Sequence, residues 1–539
     1  MAGRKLVTLG YIVTFWGVLP GILAALAAWG ERAFGPALRL PNVLPAALLL
    51  AELSAVMLTL SIVQYTRAAG NLPISAFPPR QLIRSGVFGI WRHPIYLFSV
   101  FFFSGLAAIF WPAGSLLVVF PFLSLGTLIY ARIEEAGLKK RFGRVYDGHR
   151  RQTSILVPRL AHILRGLFAV LSRFYFRFEV SGGVADTLAP PFVVISAHRN
   201  YLDPVFVSLA LKIPVHFITT FEMFRSPVSK LLFSRLFSLP TKRYKPDVRS
   251  SLDIRRRLLE GCVVGVFPEA ERSWTGAMLG FKPEVLKLFR RHSDIPILPL
   301  RLEGTYAAWP RWARGPRRTK VSVVIEKPFF AGRGESPSEL EAKLSRLIEP
   351  RTAQEPRPRP VAASGIEELI YRCPECLSFD TIRSGRGPDF GCSKCRASFS
   401  LLPDLSIQTS GSGARASLAS IAARIRVAPE NPASGGESSV FRARARLCIE
   451  KLGRFESVRA GILDLSESRL SFESVSDPVR IDLEAIRSVV VEGARRLQVY
   501  GGRPARLFQF SLLDQSALKW QDLVAGAVRS RRGVSPSTA

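Results

Sequence analysis

Four long apolar runs near the N-terminus constrain the fold more than any other feature of this 539-residue chain. Leu6–Trp29 and Val43–Tyr65 are long enough to cross a bilayer core of about 30 Å, whereas Ile95–Phe110 and Ser115–Tyr130 are shorter and form a helical hairpin. A cleavable signal peptide has an apolar region of roughly 7–15 residues, which is shorter than the first run. The pattern therefore predicts a retained membrane unit of four helices.

Basic residues predict how this unit is oriented. Arg4 and Lys5 precede the first run and further basic residues follow the second and fourth runs, whereas the two opposite loops contain only Arg32 and Arg39. This bias predicts a multi-pass membrane protein, in the cytoplasmic membrane if the source is bacterial, with everything after Arg132 in the cytoplasm. The net charge of +32 favours anionic partners, such as lipid headgroups, phosphorylated substrates or nucleic acid.

Polar residues flank the predicted hairpin on its cytoplasmic side. An Arg-His-Pro sequence at 92–94 precedes it, and Glu134 and Glu135 follow it. Basic residues there could simply anchor the helices, with the carboxylates as their counter-charges, but carboxylates beside a span are costly enough to suggest a function. Residues 80–160 resemble the isoprenylcysteine carboxyl methyltransferase and phospholipid methyltransferase family. The resemblance implies that His93, Glu134 and Glu135 bind S-adenosylmethionine.

The next segment predicts an α/β domain. Three short apolar runs rich in β-branched residues, Phe192–Ser196, Val263–Phe267 and Ile295–Leu302, alternate with helical stretches. Polar residues follow the first two runs directly. Because open α/β sheets bind ligands beyond the ends of their strands, we expect the functional residues there.

His198 follows the first of these strands and lies five residues before Asp203. A neutral imidazole can take a proton from a hydroxyl group, and a carboxylate bound to the other ring nitrogen fixes its tautomer. The simpler alternative is that Asp203, followed by proline, only caps a helix. The sequence Phe-Pro-Glu-Ala-Glu-Arg-Ser follows the second strand, where Glu269 and Arg272 suit a phosphate-bearing acceptor.

Together with a Thr-Lys-Arg block and a proline-containing apolar block, these motifs resemble the glycerophospholipid acyltransferase family, specifically its lysophosphatidic acid acyltransferases. The resemblance implies that His198 and Asp203 are catalytic and that Arg243, Glu269 and Arg272 bind the acceptor. It further implies a lysophospholipid acceptor and an acyl donor that is acyl-CoA or acyl carrier protein.

Four cysteines in the tail predict a metal site. Cys373 and Cys376 form one Cys-x-x-Cys pair, and Cys392 and Cys395 form another after 15 intervening residues. Paired thiolates at this spacing can close a tetrahedral Zn²⁺ site and suit a reducing compartment. The segment resembles a zinc ribbon. Four thiolates leave no open position, so the predicted role of the zinc is structural.

Seven short strand-like segments between 441 and 512, followed by a helix at 517–528, resemble a pleckstrin-homology-like β-barrel. We expect the first linker to separate the ribbon from the acyltransferase domain. The predicted domains are a methyltransferase-like membrane domain at 1–160, an acyltransferase domain at 161–350, a linker at 351–365, a zinc ribbon at 366–402, a second linker at 403–439 and the β domain at 440–532.

The sequence thus predicts a membrane-bound enzyme that transfers a fatty acyl group to a lysophospholipid hydroxyl. A second interpretation is that the membrane domain is the main enzyme, methylating a lipid or an isoprenylcysteine with S-adenosylmethionine, or that the chain is a bifunctional fusion. A third is a membrane-tethered nucleic-acid-binding protein, which the zinc ribbon and positive charge would suit. The ordered acyltransferase blocks argue against this third interpretation.

Overall fold

The computed structural model describes residues 2–38, 40, 42–70, 72–73, 81–183, 188–224, 226–242, 247–332, 334–351, 361–426, 441–451, 454–474 and 478–532. The chain begins with a series of helices, most of which are apolar. Their bounds are α1 (Ala2–Val13), α2 (Leu19–Phe34), α3 (Leu44–Ala69), α4 (Pro94–Phe110), α5 (Pro112–Gly114), α6 (Phe120–Phe142), α7 (Arg144–Gln152) and α8 (Leu160–Tyr175).

In the described part of the chain, three helical stretches are long and apolar enough to cross a membrane: Leu9–Phe34, Leu44–Ala69 and Pro112–Phe142. Helix α4 is shorter, as predicted. The last stretch continues beyond the predicted end of its apolar run because good helix formers such as Ala, Glu, Leu and Lys follow it. Many apolar side chains face outward, including Leu53 and Leu125, which suggests a membrane protein whose helices are covered by lipid.

The central domain is built on a seven-stranded sheet with the order β1-β7-β6-β2-β5-β3-β4. All neighbouring pairs are parallel except the antiparallel pair β6–β7. The strands are β1 (Glu179–Ser181), β2 (Phe192–Ile195), β3 (Val215–Thr220), β4 (Leu239–Thr241), β5 (Val263–Val266), β6 (Ile297–Glu303) and β7 (Ser322–Ile325), and the helices are α9 (Asp203–Leu211), α10 (Pro227–Arg235), α11 (Val248–Leu259), α12 (Pro283–Arg291), α13 (Thr305–Ala308) and α14 (Pro337–Ile348).

The central strands explain why the polar motifs meet. Every residue of β2 and β5 is buried, since both faces of the sheet are covered by apolar clusters. The register pairs Ile195 with Val266, the last residues of the two strands. The loops that follow β2 and β5 therefore leave the sheet side by side, as the sequence predicted.

The membrane unit contacts this domain through α7. Arg151 forms an ion pair with Glu260, which lies just after α11 and is also bound by Arg257. Glu260 is buried. The short polar helix that follows the last candidate membrane span thus contacts the central domain.

The segment after the central domain forms a five-stranded antiparallel sheet and a helix, namely β8 (Ile382–Ser384), β9 (Asp389–Cys392), β10 (Ser398–Leu401), β11 (Ile407–Thr409), β12 (Arg415–Ala416) and α15 (Leu418–Arg426). The sequence predicted a linker over 403–439, yet residues 407–426 are folded. Leu418, Ile421 and Ile425 recur at helical spacing and are buried, a face that the Ser- and Gly-rich composition obscured. Residues 427–439 lie outside the described ranges.

The C-terminal domain contains the seven strands and the closing helix that the sequence predicted. The sheet order is β16-β15-β14-β13-β19-β18-β17, and every neighbouring pair in this order is antiparallel. The elements are β13 (Phe441–Lys451), β14 (Arg454–Leu465), β15 (Arg469–Glu473), β16 (Val479–Asp482), β17 (Ile486–Glu492), β18 (Arg496–Gly501), β19 (Arg506–Leu512) and α16 (Ala517–Arg531).

The ribbon, the C-terminal domain and part of the central domain share one apolar core. This core includes Trp274 and Trp312 of the central domain, Phe399 of the ribbon and Trp520 of α16. The ribbon therefore packs against the central domain. The prediction that a linker separates the two is wrong. Of that linker, residues 352–360 lie outside the described ranges, and Ala363 is fully buried.

Candidate active site

His198 and Asp203 lie at the edge where β2 and β5 end. His198 is in the loop after β2, and Asp203 is the first residue of α9. The His198 Nδ1 atom is 3.0 Å from Oδ2 of Asp203. Because a carboxylate only accepts hydrogen bonds, Nδ1 carries the proton in this pair and Nε2 is the nitrogen with a lone pair.

Asp203 is held by the loop that it faces. Its Oδ2 atom accepts hydrogen bonds from the backbone N–H groups of Arg199 and Asn200, both at 2.7 Å. These residues precede the helix, so the side chain turns back towards the loop. A capping side chain bonds to N–H groups inside the helix, whereas Asp203 bonds to N–H groups before it. The geometry therefore argues against the alternative that Asp203 serves only as a helix cap.

The surroundings of His198 keep its ring neutral. The imidazole stacks on Phe267, with the ring centroids 4.3 Å apart, and its side chain remains 20% exposed. Burial lowers the pKa of His198 below its ordinary value, although the Asp203 carboxylate opposes this, and the positive charges of Arg272 and Arg311 lower the pKa further. A neutral imidazole that is partly exposed is able to accept a proton.

The side chain of Glu269 binds the loop that contains His198. Its two carboxylate oxygens accept hydrogen bonds from the backbone N–H groups of His198 (3.0 Å) and Leu279 (3.1 Å). The residue is only 1% exposed, and burial raises the pKa of Glu269 to about 7. In this position the side chain joins the loops after β2 and β5, which fixes the backbone of His198.

Arg272 packs against Tyr201, which lies in the loop that contains His198. Its guanidinium group is 3.3 Å from the ring centroid of Tyr201, which is 44% exposed. The Nη1 atom is buried and has no hydrogen-bond partner in the described part of the protein. The next residue, Ser273, donates its backbone N–H to the carbonyl oxygen of His198 at 3.1 Å. Arg243, the other predicted acceptor residue, lies outside the described ranges.

The membrane unit brings His93, Glu134 and Glu135 together, as the family resemblance implied. His93 Nδ1 is 3.2 Å from Glu134 Oε2, and His93 Nε2 is 3.5 Å from Glu135 Oε1. Arg92 binds the same oxygen of Glu135 at 2.6 Å. His93 is buried beneath the ring of Tyr96, which is nearly parallel to it. The four polar side chains thus form one cluster beside the N-terminus of α4.

The four tail cysteines also converge. The candidate ligand atoms of Cys373, Cys376, Cys392 and Cys395 all lie within 4.8 Å of one another. Two of the sulfur pairs, Cys373–Cys395 and Cys376–Cys392, are 3.7 Å apart. A tetrahedral Zn²⁺ with Zn–S bonds of about 2.3 Å places its sulfurs about 3.8 Å apart, so the four thiols fit such an ion.

Two segments of the chain match known protein families. Residues 177–303 match the acyltransferase family. Residues 44–145 match the phospholipid methyltransferase family. No curated protein matches the chain significantly. The central segment therefore contains an acyltransferase domain, and the domain before it is methyltransferase-like.

Solved structures resemble parts of the chain. One is the 1-acyl-sn-glycerophosphate (LPA) acyltransferase PlsC from Thermotoga maritima, which is 23% identical, covers 35% of this chain and 77% of that one, and has a TM-score of 0.31. Another is the N-terminal PH domain of human ARAP2, at 19% identity, covering 20% and 93%, with a TM-score of 0.16. A third is the C-terminal domain of an unknown protein from Leishmania infantum, at 13% identity, covering 17% and 86%, with a TM-score of 0.15.

Two residues of the candidate site around His198 were not singled out by the sequence. Asn200 is fully buried and donates from Nδ2 to the carbonyl oxygen of Thr305 at 2.7 Å, which ties the His198 loop to the segment after β6. Tyr201 lies under Arg272. Both residues lie inside the His-x4-Asp motif, so the sequence could predict that they are close to the site. It could not predict their partners, which are about 70 to 105 residues away along the chain.

Proposed function

We propose that the chain transfers an acyl group from a thioester donor, acyl-CoA or acyl carrier protein, to the free hydroxyl of a lysophospholipid of the 1-acylglycerol-3-phosphate type. The observation that carries this proposal is the 3.0 Å contact between His198 and a fully buried Asp203, at the exit of two parallel strands in an acyltransferase domain. A base oriented in this way is what attack by an alcohol on a thioester requires.

In the proposed reaction, Nε2 of His198 accepts the proton of the acceptor hydroxyl as its oxygen attacks the thioester carbonyl carbon. The new ester C–O bond forms, the C–S bond breaks, and the proton passes from the imidazolium to the departing thiolate. Asp203 stabilises the imidazolium while it exists. The family resemblance implied that Glu269 binds the acceptor, but both of its carboxylate oxygens bind backbone N–H groups, so we propose instead that it is a positioning residue.

Arg272 is the proposed acceptor-binding residue. Its unpartnered, buried Nη1 atom can donate to a phosphate oxygen, and the exposed ring of Tyr201 keeps the guanidinium plane fixed. Arg243 is proposed for the same role from the family resemblance alone. A phosphate held beside His198 would bring the glycerol hydroxyl within reach of the base.

The test compares two acceptors that differ only in the phosphate: lysophosphatidic acid and monoacylglycerol. We expect the purified full-length chain to acylate the first much faster, and Arg272→Leu to reduce this preference at least tenfold. Arg290→Leu, which removes an exposed arginine of α12, is the control and should leave the preference unchanged. Equal rates on both acceptors in the wild type would contradict the assignment of a phosphate-bearing substrate.

A second activity is proposed for the membrane domain, because the cluster of His93, Glu134 and Glu135 lies within a methyltransferase-like domain. His93 Nε2 and Glu134 Oε2 each face an ionisable partner within the cluster but make no well-aligned hydrogen bond among the described residues, so both retain the capacity to bind a polar ligand. S-adenosylmethionine would fit such a cluster, with the carboxylates facing its amine and sulfonium groups, and would supply a methyl group to a lipid amine or carboxylate. We therefore propose that the chain is bifunctional, with an acyl-transfer and a methyl-transfer activity.

The cysteine cluster is proposed to hold one structural Zn²⁺ per chain. The thiol spacing supports this, and four protein ligands would leave no vacancy for water or substrate. We further propose that the acyltransferase site faces the cytoplasm, which is supported by the basic residues in the last turn of α6.

A further inference from the structure

The turn between β17 and β18 of the C-terminal domain lies against the acyltransferase site. The contact is made by Arg311, which follows α13 of the central domain and is 3% exposed. Its guanidinium group donates from Nη2 to the carbonyl oxygen of Val491 at 2.6 Å and from Nε to that of Gly493 at 3.1 Å. Both acceptors belong to the turn or its first strand.

The same guanidinium group also holds the proposed acceptor-binding segment. Arg311 Nη1 donates to the backbone carbonyl oxygen of Arg272 at 3.0 Å, and it lies 3.7 Å from a carboxylate oxygen of Glu271. The group also lies over the ring of Trp274, 4.4 Å from its centroid. One buried cation therefore joins the turn of the C-terminal domain to residues 271–274.

A second contact reaches Arg272 through its side chain. Gly493 has a φ of +70°, and a Cβ atom placed on it would lie 3.8 Å from the hydroxyl oxygen of Tyr201. The ring of Tyr201 is the surface on which the Arg272 guanidinium rests. The turn is thus next to both supports of Arg272, one at its backbone and one at its side chain.

Because Arg311 is buried, its hydrogen bonds to the turn and its hydrogen bond to Arg272 depend on each other. A buried guanidinium needs partners for its donors, and two of the carbonyl oxygens bound by Arg311 come from the C-terminal domain. If the turn moved away, those donors would lose their partners and Arg311 would have to reorient. Its bond to Arg272 would then be lost as well.

We propose that the β17–β18 turn of the C-terminal domain completes the acceptor side of the acyltransferase site, with Arg311 as the positioning residue for Arg272. This inference rests on the proposed function of Arg272. It predicts that the C-terminal domain controls affinity for the lysophospholipid acceptor, while the acyl donor and the His198 base are little affected.

The test measures KM for lysophosphatidic acid, KM for the acyl thioester and kcat on the full-length chain. At a pH well above the pKa of His198, where loss of the Arg311 charge still leaves the imidazole neutral, we expect Arg311→Leu to raise the acceptor KM about tenfold or more, with the donor KM and kcat within about twofold. Arg317→Leu is the matched control: Arg317 also joins the central domain to the following segment, through the carbonyl oxygen of Ala362, and lies over Trp312. This control should leave the acceptor KM unchanged.

If Arg311→Leu does not fold, Gly493→Ala carries the test, because it strains the turn beside Tyr201 and retains the arginine. Gly502→Ala, at a φ of +87° in the next turn of the same domain, is its control. A raised acceptor KM in Gly493→Ala alone supports the inference. Equal effects of both members of either pair, or a fall in kcat without a change in the acceptor KM, would overturn it. A wild type with no acyl transfer at all would instead refute the proposed function on which the inference rests.

Discussion

Replacing Asp203 with asparagine tests how the proposed base works. One oxygen, Oδ2, accepts hydrogen bonds from His198, Arg199 and Asn200, and the residue is fully buried. An amide oxygen can occupy that position and keep the three bonds. The substitution therefore removes the negative charge while the loop can retain its shape.

The expected loss follows from the distance. Opposite unit charges 3.0 Å apart attract by about 5.5 kcal/mol at an effective dielectric constant of about 20. Part of this attraction is retained through the dipole of the amide group. We therefore expect transfer to fall by about 10²- to 10⁴-fold, which corresponds to roughly 2.7–5.4 kcal/mol in the activation barrier.

The assay is release of free thiol from the acyl thioester in the presence of lysophosphatidic acid. Asp247→Asn is the matched control, since Asp247 also accepts backbone N–H bonds, from Lys242 and Ser250, at the start of a helix. This control should retain activity within about twofold. A loss smaller than tenfold in a folded Asp203→Asn protein would refute the role given to the carboxylate.

Four further results are expected. Because burial lowers the pKa of His198, kcat/KM should rise with pH along a limb centred below about 6.5, where the imidazole loses its proton, and a midpoint above 7.5 would contradict this. Replacing Cys373 and Cys376 with serine should remove the zinc detected by elemental analysis and also raise the acceptor KM, because the ribbon shares its core with the C-terminal domain; full metal content in the double variant would contradict the site. Calorimetry on the full chain in detergent should detect S-adenosylmethionine binding that His93→Ala weakens at least tenfold, and absence of heat in the wild type at millimolar cofactor would count against the methyltransferase proposal. Ala270 has a φ of +54°, so Ala270→Gly should raise the free energy of unfolding by up to about 1 kcal/mol in thermal unfolding, and an unchanged or lower midpoint would show that the turn is not strained.

Much of the fold followed from local patterns in the sequence. The apolar runs predicted the membrane helices, and the buried strands β2 and β5 were predicted within about one residue because parallel central strands are continuous apolar segments. The proximity of His198, Asp203 and the Arg272 segment followed from the rule that parallel strands end at one edge. Thiol spacing alone predicted the cysteine cluster.

Contacts between domains could not be predicted in this way. Nothing local distinguishes Arg311 from other arginines of its segment, because its partners Val491 and Gly493 are about 180 residues away. The shared core forms because the surfaces of the domains are complementary in shape. The sequence shows that Trp312 and Trp520 are apolar, but it does not show which surface each of them packs against. Composition also concealed α15, whose apolar face is short and interrupted by arginine and serine.

The most direct measurement follows thiol release and formation of the diacyl lipid together, with wild-type and His198→Ala proteins in the same lipid vesicles. We expect the wild type to release one thiol for each new ester bond. His198→Ala, although correctly inserted, should form both products at least about 10²-fold more slowly. Diacyl lipid formed by His198→Ala at the wild-type rate, or thiol release by the wild type without any new ester, would contradict the proposed mechanism.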